Sequence, residues 1–153
     1  MTLRLRDKLP AFDQVSQWVN GSMSREELLG APVLVHFWAV SCHLCKEEFP
    51  IVNHWRLVYG QQYGLQIIGV HAPRTSVDHN ANAQATAAEY ELEHPIILDE
   101  QLSLSRAFDN SFVPAYYVFD SQLELRYYQA GERGLHTVNQ RLRRLLDVAN
   151  SNT

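Results

Sequence analysis

The chain has 153 residues with 46% hydrophobic content, which suits one ordinary domain with a real core. A formal net charge of -4, with pI near 5.9, excludes the concentrated basic footprint of a nucleic-acid binder. No window approaches the unbroken apolar length of a membrane span, and the N-terminal MTLRLRDKLPAFDQ has no apolar targeting core.

In chain order, APVLVHFW is a continuous apolar, β-branched-rich run, the pattern of a central strand covered on both faces. Ile51, Val52, Trp55, Val58 and Tyr59 then recur at helical spacing until the glycine of QQYGLQ, so one long helix is expected from about Cys42 to Gln62. Pro50 is expected to kink it, because proline lacks the donor for an intrahelical bond. LQIIGV reads as a strand, HAPRTSVDHN as a loop, and the alanine-rich NANAQATAAEYELE as a helix. PIILD is a short strand and SLSRAFD a short helix. AYYVFDSQLELRYYQ is a hairpin turning near Asp120 to Gln122. The alternation of Tyr116, Tyr117, Tyr127 and Tyr128 implies one buried hairpin face. HTVNQRLRRLLDVA closes the chain as an amphipathic helix with Val138, Leu142, Leu145 and Leu146 inward and its basic run solvated.

Strands joined through helices can run parallel, whereas the terminal hairpin must be antiparallel. The expected fold is therefore α/β, a mixed sheet of four or five strands flanked by helices on both faces, with an extra strand near the N-terminus. With neither repeat nor low-complexity linker, residues 1–153 read as a single domain.

The only two cysteines stand three apart in FWAVSCHLCKEEFP. A strand delivers its end to Ser41, which puts Cys42 at the first turn of a helix, where unpaired N–H groups and the helix dipole stabilise a thiolate. Such positions can bring a cysteine pKa from about 8.5 to roughly 3.5–7.5. Cys45 lies one turn deeper on the same face, within bonding range of Cys42. The outer sulfur is thus the nucleophile and the inner one resolves. Zinc held by Cys42, His43 and Cys45 is the competing use of these residues. A structural site usually takes four ligands from two separated knuckles, however, and no second C-x-x-C or H-x-x-x-H is present, so no metal is expected. The peroxide-reducing pattern of a threonine three residues before the reactive cysteine is also unmet.

VLVHFWAVSCHLCKEEFP resembles the strand and active-site helix of the thioredoxin fold, and KEEFP resembles its ResA/TlpA branch. HFWAVSCHLCKE, VHAPR and VPAYYVFD together resemble the YkuV type of bacterial cytoplasmic thiol-disulfide oxidoreductase, in order over essentially the whole chain. The resemblance implies a thioredoxin fold with Cys42 attacking, Cys45 resolving and Pro114 as a cis-proline beside them. Val113 then offers its backbone to an extended substrate segment. His36 occupies the place of thioredoxin's buried aspartate, the proton carrier for the inner cysteine; the alternative is a satisfied core histidine. Glu48 aligns with a glutamate of the ResA branch and is a second acid/base candidate for Cys45, against the reading of a solvated helix glutamate. Trp38 shields the site in the family. His43 and Leu44 replace the usual Gly-Pro between the cysteines, the handle on reduction potential.

The implied activity is reduction of disulfides in substrate proteins, needing no metal or organic cofactor. It does need an upstream dithiol reductant such as a thioredoxin reductase system. A cytoplasmic monomer is expected; an exported chain that has lost its signal would read the same. The alternative of another class is a thioredoxin-fold binding module whose thiols are incidental.

Overall fold

The computed structural model describes residues 3–131 and 134–148. Its elements run β1 (Trp18–Val19), α1 (Arg25–Leu28), β2 (Val33–Trp38), α2 (His43–Tyr63), β3 (Gln66–His71), α3 (Asn80–Glu89), β4 (Ile96–Leu98), α4 (Ser103–Phe108), β5 (Ala115–Phe119), β6 (Leu125–Ala130) and α5 (Leu135–Leu145). They build one sheet in the order β1-β4-β3-β2-β5-β6. The β2–β3 and β3–β4 pairs are parallel; β1–β4, β2–β5 and β5–β6 are antiparallel. The mixed α/β sheet is as expected, but it has six strands rather than four or five. β1 is the strand expected near the N-terminus, its two residues gaining strand geometry by pairing with Ile97 and Ile96; the count reaches six because both hairpin arms, β5 and β6, join β2, β3 and β4 in the one sheet.

Every residue of β2 is buried, so successive side chains feed two different cores. Val33, Val35 and Phe37 join Ile68, Val70 and Phe119 under Leu28 of α1 and Leu104 and Phe108 of α4. Leu34 packs instead with Val52, Trp55 and Tyr59 of α2 and Val138 and Leu142 of α5. A third cluster gathers at the C-terminal end of β2, where Trp38 meets Cys45, Phe49 and the alanines Ala83 and Ala87 of α3.

Helix α2 continues through Pro50 without a break in its assigned span and stops at Gly64, whose φ of 71° lies in the left-handed region. Helix α3 ends four residues short of the expected run. Glu91 adopts a φ of 56° so that the chain reverses and buries Leu92, whose N–H returns to the carbonyl of Ala87. Burial of one leucine thus overrides local helix propensity. The hairpin turns at Asp120, whose carboxylate accepts the N–H groups of Gln122 and Glu124. One buried face is correct for β6 and wrong for β5, where Tyr116 and Tyr117 are both buried on opposite faces because helices cover both sides of the sheet. In α5, Val138 and Leu142 are fully buried, and Leu145 and Leu146 pack at the edge of the same core. Among the described residues, no helix is long and apolar enough to cross a membrane.

Candidate active site

Cys42 is the N-cap of the 21-residue α2, with extended backbone, and Cys45 sits in the first turn. Their sulfurs form a disulfide with a Cα–Cα separation of 5.3 Å. The backbone N–H of Cys45 donates to Cys42 Sγ at 3.1 Å, so an orphan donor of the helix terminus already points at the outer sulfur. Cys42 is half-buried and Cys45 is 1% exposed. That asymmetry separates a sulfur that a partner can reach from one that it cannot.

The peptide bond between Val113 and Pro114 is cis, as the resemblance implied. Val113 packs at the edge of the cluster that holds Cys45, as does Cys42. Val113 also lines a groove of about 460 Å³, with Pro73, Arg74, Leu102, Arg106 and Phe112 among its walls. Phe112 is 54% exposed there.

The approach to Cys42 is pinned from behind by residues to which sequence reasoning gave no role. Asp78, buried in the loop between β3 and α3, accepts the N–H of Ser41 at 2.8 Å, the Ser41 hydroxyl at 2.7 Å, and the N–H groups of Arg74 and Thr75 at 2.9 Å each. Burial opposes ionisation of Asp78, but these donors together hold its pKa down at about 2. His71, at the end of β3, accepts the N–H of Val40 at 3.3 Å. Burial lowers the His71 pKa to about 4, against the opposing pull of Asp78.

Glu48 is on the inward face of α2, three residues after Cys45 and 5% exposed, so it is not a solvated glutamate. Its Oε1 accepts the hydroxyl of Tyr116 at 2.5 Å. Burial raises the Glu48 pKa, the Tyr116 bond works against that rise, and the neighbouring charge of Glu47 adds to it. The hairpin pattern by itself marks Tyr116 only as a packing residue; the pairing of His36 with Tyr116 across β2 and β5 brings it over Glu48.

His36 is 1% exposed and its Nε2 lies 2.8 Å from Nε2 of His94. Its ring stacks on Tyr116 and meets Phe49 edge-on. Burial lowers its pKa to about 3; burial, His36 and Arg56 push His94 well below its ordinary value. His36 is therefore a neutral, hydrogen-bonded core histidine, edge-on to Phe49, which packs in the cluster that holds Cys45. Trp38 is 1% exposed and lies edge-on to Phe49 and His71 within the Cys45 cluster. His43 is exposed and lies 3.4 Å from Glu47 one turn on, while Leu44 is half-buried. Among the described residues, no group of three or more His, Cys, Asp or Glu side chains is placed to share a metal ion.

Comparison with known proteins agrees with this geometry. Thiol-disulfide oxidoreductase YkuV of Bacillus subtilis is 42% identical over 146 residues, covering 94% of this chain and 97% of that protein. Thiol-disulfide oxidoreductase ResA of Geobacillus thermodenitrificans is 24% identical over 113 residues, covering 74% and 62%. The solution structure of a thioredoxin-like protein in the oxidised form superposes with a TM-score of 0.82 at 42% identity, covering 96% of this chain and 98% of that one. The profile of the AhpC/TSA family matches residues 5–128. The chain belongs to the AhpC/TSA family and is, within it, a thiol-disulfide oxidoreductase of thioredoxin-like fold.

Proposed function

We propose that Cys42 is the attacking thiol and Cys45 the resolving thiol of a reductant for protein disulfides. The observation that carries this assignment is the difference in access between the two bonded sulfurs: Cys42 half-buried at a helix N-cap, Cys45 closed off behind it. In the reduced protein, the Cys42 thiolate attacks one sulfur of a substrate disulfide, forming a mixed disulfide and releasing the other sulfur as a thiolate. The Cys45 thiolate then attacks Cys42 Sγ, the mixed disulfide breaks, and the substrate leaves as a dithiol. Two electrons pass from the cysteine pair to the substrate. The helix terminus favours the first thiolate, and Glu48 takes the Cys45 proton for the second step. His36 is a poorer candidate for that proton, because burial makes its ring a weak base, with its pKa lowered to about 3.

Val113 supports docking of an extended segment by strand addition, since it lies outside β5 immediately before the cis bond. The groove beside it takes residues flanking the substrate disulfide. A disulfide that joins only the two cysteines of a C-x-x-C pair suits a catalytic couple of a reducing compartment better than a structural staple, so the cytoplasm is the proposed place of the reaction. There an upstream dithiol system, such as a thioredoxin reductase, regenerates the monomeric protein.

The test is trapping with single-cysteine variants. Cys45→Ser is expected to accumulate mixed disulfides with substrate proteins, and Cys42→Ser to accumulate none. Equal capture by both variants would favour a binding module with incidental thiols.

A further inference from the structure

Helix α2 places Glu48 one turn beyond Cys45, and the carboxylate meets a single tyrosine hydroxyl from the neighbouring strand. Tyr116 is itself fixed on several sides. It is 3% exposed, its ring lies nearly parallel to His36 at 6.2 Å, and Trp55 meets it edge-on at 6.2 Å. Trp55 is tied in turn to Asn139 of α5. A hydroxyl held this way is aimed at Glu48 Oε1 before any substrate arrives.

We infer that Tyr116 is a positioning residue for the resolving step: its hydroxyl holds Glu48 Oε1 and leaves Oε2 turned to proton exchange with Cys45. The inference rests on the assignment of Glu48 as acceptor of the Cys45 proton. Because burial, the Glu48 charge and the hydrogen bond all raise the Tyr116 pKa well above 10, the hydroxyl stays a donor throughout the working pH range. A donor to a carboxylate favours its ionised form, offsetting part of the effect of burial. The charged and titratable groups around Glu48 are Glu47 beside it on α2, which opposes its ionisation, Cys45 one turn earlier, and Tyr116 from β5. His36 of β2 stands behind Tyr116 and is neutral.

The chemistry can be read with 5,5′-dithiobis(2-nitrobenzoate), a small disulfide. Attack by Cys42 releases one coloured thiolate, and resolution by Cys45 releases the second. In the reduced protein, Tyr116→Phe is expected to move the acid limb of the second release upward by about one pH unit, about tenfold slower at a fixed pH on that limb. The first release is expected to stay within about twofold. Glu48→Gln should abolish the limb, and the double variant should match Glu48→Gln alone. Titration of the Glu48 carboxyl carbon by NMR in the reduced protein should show the same upward shift in Tyr116→Phe, with unchanged spectra elsewhere reporting an intact fold. If Glu48→Gln loses the limb while Tyr116→Phe shifts neither the limb nor the carboxyl titration, the positioning role is overturned and the assignment of Glu48 stands. If Glu48→Gln keeps the limb, the assignment of Glu48 fails and the positioning role falls with it.

Discussion

Asp78 accepts both the backbone N–H and the hydroxyl of Ser41, so a buried carboxylate grips the residue immediately before Cys42. The same carboxylate gathers the N–H groups of Arg74 and Thr75, linking the turn that ends β2 to the loop that follows β3. The position of the attacking sulfur is thus set from outside its own helix.

This linkage gives stability a defined pH dependence. The folded pKa of Asp78, about 2, lies below its ordinary 3.8, so its contribution is fully present above 3.8 and is lost as pH falls through about 2. The contribution is up to about 2 kcal/mol. Urea unfolding should find Asp78→Asn less stable than the parent by up to that amount at pH 6, with the gap closing towards pH 2. A gap constant across pH would mean that the carboxylate charge is not what holds the loop.

The His36–His94 pair has the same sign for a different reason. Both rings are kept neutral by burial, so the unfolded chain binds more protons once pH drops below the ordinary histidine value of 6.5. The stabilisation is complete above 6.5 and declines as pH falls towards about 3. Imidazole NMR should show His36 unprotonated from pH 5 to pH 8. A midpoint within that range would return His36 to the proton-transfer step.

Gly69 makes room for that pair. A Cβ built there would stand 3.1 Å from Ile96 Cγ1 and 3.2 Å from Nε2 of both His36 and His94. Gly69→Ala should therefore destabilise the fold by about 1–3 kcal/mol, the range for overpacking a tight core. A change below about 0.5 kcal/mol in urea unfolding would show that the histidines can separate freely.

Besides the apolar packing of Val138 and Leu142, one polar side chain of α5 reaches two residues of α2. Asn139 Oδ1 accepts the indole N–H of Trp55 at 3.1 Å and the hydroxyl of Tyr59 at 2.8 Å, both on buried residues. Asn139→Ala leaves two donors without this acceptor, and a loss of about 1–3 kcal/mol is expected. Asn139→Asp keeps an acceptor and should lose less; equal losses would point to helix packing rather than to these bonds.

What could be read from the sequence was what depends on neighbours along the chain. The unbroken apolar run of β2, the helical spacing of Val52, Trp55 and Tyr59, and the C-x-x-C pair at a strand-to-helix junction all carry local signals. The cis bond at Pro114 came from resemblance and agrees with the structure. What escaped depends on register and long-range closure. The place and partner of the N-terminal strand β1 are set by the edge that β4 offers, and α3 stops because Leu92 must turn inward. Tyr116 lies over Glu48 only because β5 pairs with β2 in the register that sets it opposite His36. Asp78 and His94 sit in connecting segments whose sequence has no periodicity to betray a buried polar partner.

The most direct test is the redox equilibrium of Cys42 and Cys45, followed by thiol trapping and mass spectrometry across a glutathione or dithiothreitol series. One reversible two-electron transition, confined to this pair, is expected near the roughly -270 mV of thioredoxin. A midpoint near the roughly -120 mV of DsbA would contradict a reductant, and the absence of any reversible transition would contradict thiol-disulfide exchange itself.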